Sequence, residues 1–189
     1  MKLRKIAATL CTLFTIVLLT SCGTATPEAT VDGYMKACIN LDAEKMNEFL
    51  PTGNTSEIPK DDDTYTNLFK RLKYKIGSST IDGDTATVQI TITALDMKTI
   101  MGEMIADLFG QAMSHIGDDS FDGDAYSKNL LSEKMSAEDA PTVTNDAVVN
   151  LEKNADGKWV ISSEEKNSEF INALTGDLMS IADSLGFDE

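Results

Sequence analysis

Apolar and polar residues alternate without a break from 85 to 94, in a segment that runs to Leu95. Ala86, Val88, Ile90, Ile92 and Ala94 fall on one face, and Thr85, Thr87, Gln89, Thr91 and Thr93 on the other. A period of two marks a half-buried antiparallel strand. The segment before it, 73–81, alternates less cleanly, with Tyr74, Ile76 and Ser78 against Lys73, Lys75 and Gly77. Asp82-Gly83 between the two supplies the residues of a two-residue type I′ hairpin. The same device is expected at 143–161, where Val143, Ala147, Val149 and Leu151 share a face and Asp156-Gly157 leads into Lys158-Trp159-Val160-Ile161.

Elsewhere the period lengthens to that of a helix. Thr26 as N-cap, Pro27 at the first position and Glu28 in the first turn open a helix with the apolar stripe Val31, Tyr34, Met35, Cys38 and Leu41. A break at Asn40-Leu41-Asp42 lets Asp42 cap a short second helix, with Met46, Phe49 and Leu50 apolar, that stops before Pro51. A polar loop over 52–63, ending in Asp61, Asp62 and Asp63, precedes a short helix over 64–72. Asp96 caps a long helix bearing Ile100, Met101, Met104, Ile105, Leu108, Phe109 and Met113. That stripe is wide enough for a core or a partner, and packing is the expectation. A weaker helix is predicted over 125–135. The last runs over 168–185, with Phe170, Ile171, Leu174, Leu178, Ile181 and Leu185 inward. Helices first, then two hairpins separated by a helical insertion, then a closing helix is an α+β order with an antiparallel sheet.

The first residues follow another logic. Lys2, Arg4 and Lys5 precede 14 uncharged residues, 6–19. As a helix these span about 21 Å, short of a bilayer's hydrocarbon core of about 30 Å, so they fit a secretory signal better than a permanent span. Leu19-Thr20-Ser21-Cys22-Gly23 resembles the lipobox of bacterial lipoproteins. The resemblance implies a diacylglyceryl group on the Cys22 thiol and cleavage between Ser21 and Cys22. The expected organisation is a signal peptide at 1–21, a lipidated Cys and short tether at 22–26, and one domain at 27–189. Two acyl chains anchor a protein stably where one does so marginally. With Cys11 leaving in the signal and Cys22 alkylated, Cys38 remains alone, so no internal disulfide is expected and Cys38 reads as a small buried hydrophobe.

Charge narrows the function. The 16 Lys and Arg against 31 Asp and Glu give −15 over 189 residues, which excludes an extended nucleic-acid surface. Loss of residues 1–21 removes Lys2, Arg4 and Lys5 and no acid, taking the net charge from −15 to −18. Lys70, Arg71, Lys73 and Lys75 form the one basic cluster and read as a solvated face paired with nearby acids. His115, the single histidine, stands at the end of the Met-rich helix, where a cation is favoured. Asp118, Ser120, Asp122 and Gly123 match positions 1, 3, 5 and 6 of an EF-hand loop, but position 12 is Asn129, which lacks the bidentate carboxylate. Asp118, Asp122 and Asp124 therefore make a weak cation candidate, with a solvated acidic loop the default. No phosphate-cradling glycine loop, CxxC pair or HExxH helix is present, and no cofactor is implied.

The break at Asn40-Leu41-Asp42, the hairpin at 81–88, the segment Asn150-Leu151-Glu152-Lys153-Asn154-Ala155-Asp156-Gly157-Lys158-Trp159-Val160-Ile161 and the tail at 169–178 resemble small lipoproteins of Gram-positive bacteria built on the nuclear-transport-factor-like, cystatin-like roll. The resemblance implies helices on a curved antiparallel sheet around a cone-shaped cavity, which some members use for small ligands or catalysis and others merely fill. It carries over no catalytic residue. The leading expectation is a lipid-anchored, extracytoplasmic, non-catalytic module binding a small apolar ligand in the cavity or a protein partner across the Met-rich helix, a homodimer included. The rivals are an isomerase- or dehydratase-like enzyme with a carboxylate base and a structural or assembly protein.

Overall fold

The computed structural model describes residues 25–51, 63–117 and 120–181. Its strands are β1 (Lys73–Asp82), β2 (Thr85–Leu95), β3 (Thr142–Lys153) and β4 (Trp159–Ile161). They form one antiparallel sheet in the order β1-β2-β3-β4, so both hairpins join neighbours. The helices are α1 (Pro27–Ile39), α2 (Ala43–Glu48), α3 (Asp63–Lys70), α4 (Met97–Ser114), α5 (Gly123–Ser136) and α6 (Ser168–Leu174). The protein is α+β, with helices packed on an open curved sheet.

Register turns the sequence alternation into a core. Val88 lies opposite Val149, Ile90 opposite Ala147 and Ala86 opposite Leu151. All six are buried. α1 covers this face with Val31, Tyr34, Met35 and Cys38, and α6 with Phe170, Ala173 and Leu174. Tyr34 and Phe170 meet with ring centroids 6.2 Å apart. Each large apolar side chain buried here contributes roughly 1.5–3 kcal/mol. Val31, Met35, Cys38, Val88, Ile92 and Val149 have no accessible surface. A void roomy enough for water would register as accessible surface on its walls, so none borders these six residues.

Side-chain caps fix the helix starts. Ala29 N donates to Thr26 Oγ1 at 3.2 Å, Lys45 N to Asp42 Oδ1 at 3.0 Å and Thr99 N to Asp96 Oδ1 at 2.9 Å. The anticipated break after α1 is real, and Leu41 takes a positive φ of 55° there. Asn167 ties the start of α6 to the sheet where β4 has ended. Its Oδ1 accepts from Asn150 N at 2.8 Å, and its Nδ2 donates to Asn150 O at 3.2 Å and Ser162 O at 3.1 Å.

Four local expectations are corrected. The first hairpin turns at Gly83-Asp84, because Asp82 already pairs with Thr85. Gly83 has φ 60° while Asp84 is not among the positive-φ residues, which is the φ pattern of a II′ turn and not of I′. The second hairpin uses five residues, 154–158, between paired Lys153 and Trp159, with Asn154 Oδ1 accepting from Asp156 N and Lys158 N, both at 3.0 Å. α6 stops at Leu174. Gly176 and Asp177 both have φ 62°, and Met97 N donates to Gly176 O at 2.8 Å, so the backbone leaves the helix to dock on the β2–α4 junction. Leu178 is consequently exposed, and Leu185 lies outside the described residues. The last correction concerns α4, whose stripe is fully buried only at Met97 and Ile100, half-buried at Met101, Met104 and Leu108, and exposed at Ile105, Phe109 and Met113.

Candidate functional site

Two surfaces stand out, one on the uncovered face of the sheet and one on α4. The first begins with a bulge in β1. Ile76 pairs with Ile90 and Ser79 with Val88, so Gly77 and Ser78 together oppose Gln89. A Cβ on Gly77 would lie 3.0 Å from Gln89 Cβ and 3.1 Å from its carbonyl oxygen, so the close approach favours glycine. Ser78 Oγ donates to Gln89 Oε1 at 3.1 Å. The bulge also explains why the alternation of β1 was imperfect: the extra residue shifts the phase.

Beside the bulge lies a hollow of about 390 Å³. Register places Lys75, Thr91 and Asp146 in one row across three strands. Thr91 Oγ1 donates to Asp146 Oδ1 at 2.7 Å. Val148 adds an apolar patch to the floor, and Glu169 at the start of α6 closes the far side. A second hollow of about 340 Å³ shares Asp146 and Glu169 and adds Asn145, Asn172 and Asp177. The Asp177 carboxylate accepts from Asn145 Nδ2 at 2.9 Å and Asn172 Nδ2 at 3.0 Å, which holds the positive-φ turn in place. The arrangement offers hydrogen bonds and charges of both signs.

The second surface is α4 beyond its first turn. Met97 and Ile100 are buried, but Ile105 is 46 % exposed, Phe109 69 %, Met113 58 % and Ile116, just past the helix, 74 %. Gly102, Ala106 and Gly110 are exposed beside them. α4 rests on α5, where Lys134 Nζ reaches Glu103 Oε2 at 3.2 Å and Asp107 Oδ2 at 2.9 Å. Asp107 is the only Asp, Glu, Lys or Arg from 104 to 117. His115 is the C-cap residue and stacks on Phe121 with centroids 4.3 Å apart.

Ser21, Cys22 and Asp118 lie outside the described residues. Asp122 is the N-cap of α5, accepting from Ala125 N at 2.9 Å, and Asp124 is exposed in the first turn of that helix. Among the described residues no group of three or more His, Cys, Asp or Glu is arranged to hold a metal ion. Cys38 is buried, and burial pushes its thiol up to about 12. That is the reverse of an activated nucleophile. Arg71 of the basic cluster caps α5, donating to the carbonyl oxygens of Ser136, Ala137 and Glu138.

A carboxylate base would need its pKa raised, whereas Glu28 and Asp32 both move down. For Glu28, burial pulls upward but hydrogen bonds from Ser79 and the backbone outweigh it. Asp32 is held low by Lys36 at 2.7 Å and by the Tyr74 hydroxyl at 2.8 Å, against a smaller opposing burial effect. The residues missed from sequence were Gln89, Thr91, Asp146, Glu169 and Asp177. They are scattered along the chain, and the available signal was the polar phase of β2 and β3 combined with their register.

No family model matches the chain, and no curated protein matches it. Among solved structures it is similar to ycdA from Bacillus subtilis subsp. subtilis str. 168, a protein provisionally described as a lipoprotein, at 12 % identity and a TM-score of 0.44. That likeness covers 79 % of this chain and 47 % of the other, so the chain spans about half the length of that protein. A likeness of this degree assigns no function. Among the described residues no helix is long and apolar enough to cross a membrane.

Proposed function

We propose that the chain is an extracytoplasmic lipoprotein, anchored through Cys22, that acts as a non-catalytic interaction module and associates with a second copy of itself through α4. The observation that carries the reading is the run Ile105, Phe109 and Met113, open on one side of α4, with exposed Ile116 just past its end. Large apolar side chains on one face of a helix are ordinarily covered, and Ile105, Phe109 and Met113 are not. Its open face interleaves large side chains with Gly102, Ala106 and Gly110, so two copies crossing antiparallel bring knobs to notches. It is also nearly free of charge, so two strongly acidic chains meet where their repulsion is least. One helix face falls short of the roughly 800 Å² per partner of a stable complex, so the pair is weak in solution. Anchoring raises the effective concentration and compensates. The charged start, the apolar segment 6–19, the small residues before Cys22 and a helix beginning at Pro27 support the anchor. The order of helices, hairpins and closing helix agrees with the roll-type lipoproteins the sequence resembles.

The test uses the full chain in membranes with a photo-crosslinking residue at position 109. The expected product is a dimer of the chain, lost when Met113→Asp is added; a crosslink to a different protein, or none, overturns self-association. Separately, Cys22→Ser should release the protein from the membrane fraction, and retention of an unlipidated chain would overturn the anchor.

A further inference from the structure

We infer that the groove over the β1 bulge is a binding site for a short peptide with free termini. This does not depend on α4 or on the lipid anchor. Lys75 of β1, Asp146 of β3 and Glu169 of α6 all line it. None of these three enters an ion pair among the described residues. Lys75 and Asp146 are separated by the width of β2, two inter-strand steps, or about 10 Å. Thr91 lies between them with its hydroxyl turned to Asp146, and the two charged groups do not pair.

Opposite charges held apart across a hollow are complementary to a ligand carrying the reverse pair: a carboxylate for Lys75 and an ammonium for Asp146 and Glu169. An extended chain covers about 3.3–3.6 Å per residue, so three residues span the gap. The 390 Å³ hollow is of a size for such a ligand, and Val148 gives an apolar floor for a middle side chain. Gln89 accepts from Ser78 through Oε1 and presents its Nε2 amide for a peptide carbonyl. Capture of chain termini by charge and fixed polar groups is a general mode of peptide recognition. Among the described residues the lining has no aromatic side chain, which disfavours a flat apolar ligand.

The experiment titrates the full-length protein in detergent micelles with tri-L-alanine, its N-acetyl derivative and its C-terminal amide, read by calorimetry. The free peptide should bind, and blocking either end should weaken it about tenfold, the size of one charge-assisted contact. In Lys75→Gln the free peptide and the amide should bind equally. In Asp146→Asn with Glu169→Gln, the free peptide and the acetylated one should bind equally. These positions are solvent-facing, so unfolding midpoints should match the parent within error, and the blocked-peptide series on the parent protein decides the matter even if they do not. Equal binding of free and blocked peptides, or no binding at about 10 mM, overturns the inference.

Discussion

Tyr34 and Cys38 sit one turn apart on α1, both deep in the core. Burial pushes the Cys38 thiol from 9.0 up to about 12. Burial first, and the neighbouring Cys38 second, raise Tyr34 well above its usual value of 10.0. Each group is neutral when protonated, so a raised folded pKa means that the unfolded chain ionises first as pH rises. Stability is therefore complete below about pH 9 and falls above it, by about 1.4 kcal/mol per pH unit for the thiol alone. Urea midpoints between pH 8 and 11 should decline, and Cys38→Ala should flatten part of the slope. A parent curve level to pH 11 would contradict the burial of this pair.

At the level of elements, the end of α6 shows how a distant contact overrides a local pattern. The run Leu174, Leu178, Ile181 reads as continuing helix, yet the chain leaves it at Gly176. A Cβ on Gly176 would fall 1.7 Å from the Leu95 carbonyl oxygen, whereas one on Gly157, also at positive φ, meets nothing within 4 Å. Gly157→Ala should cost about 1 kcal/mol, the backbone penalty alone. Gly176→Ala should cost at least about 2 kcal/mol more, because a backbone atom must move as well. Equal losses in chemical denaturation would mean that the docking of Gly176 on Leu95 and Met97 is not tight.

The elements that were legible share a cause. β2 and β3 are covered on one face, so their burial is written as alternation, and Thr26, Asp42 and Asp96 act within three residues of themselves. What was illegible depends on other elements. The stripe on α4 shows apolarity but not whether anything lies over it. The row Lys75, Thr91 and Asp146 exists only once three strands are in register.

For the whole molecule, charge governs the approach to a surface. With residues 1–21 removed the chain carries −18. At about 10 mM salt, where the screening length is about 30 Å, it should be repelled by anionic lipid. Cys22→Ser protein lacking residues 1–21 should accordingly fail to sediment with phosphatidylglycerol vesicles at low salt. Sedimentation that added salt abolishes would reveal an attractive surface patch that the net charge conceals.

The bulge in β1 has a bearing on crowding. β1 is an edge strand of ten residues, and an open edge of that length invites a neighbour's strand to hydrogen-bond to it. Chains confined to two dimensions meet edge to edge far more often than chains in solution. The break in regular pairing at Gly77-Ser78, flanked by Lys73 and Lys75, spoils that edge as a template. The bulge beside the hollow thus also works against runaway sheet growth, and regularising the strand there should favour fibres at high surface density.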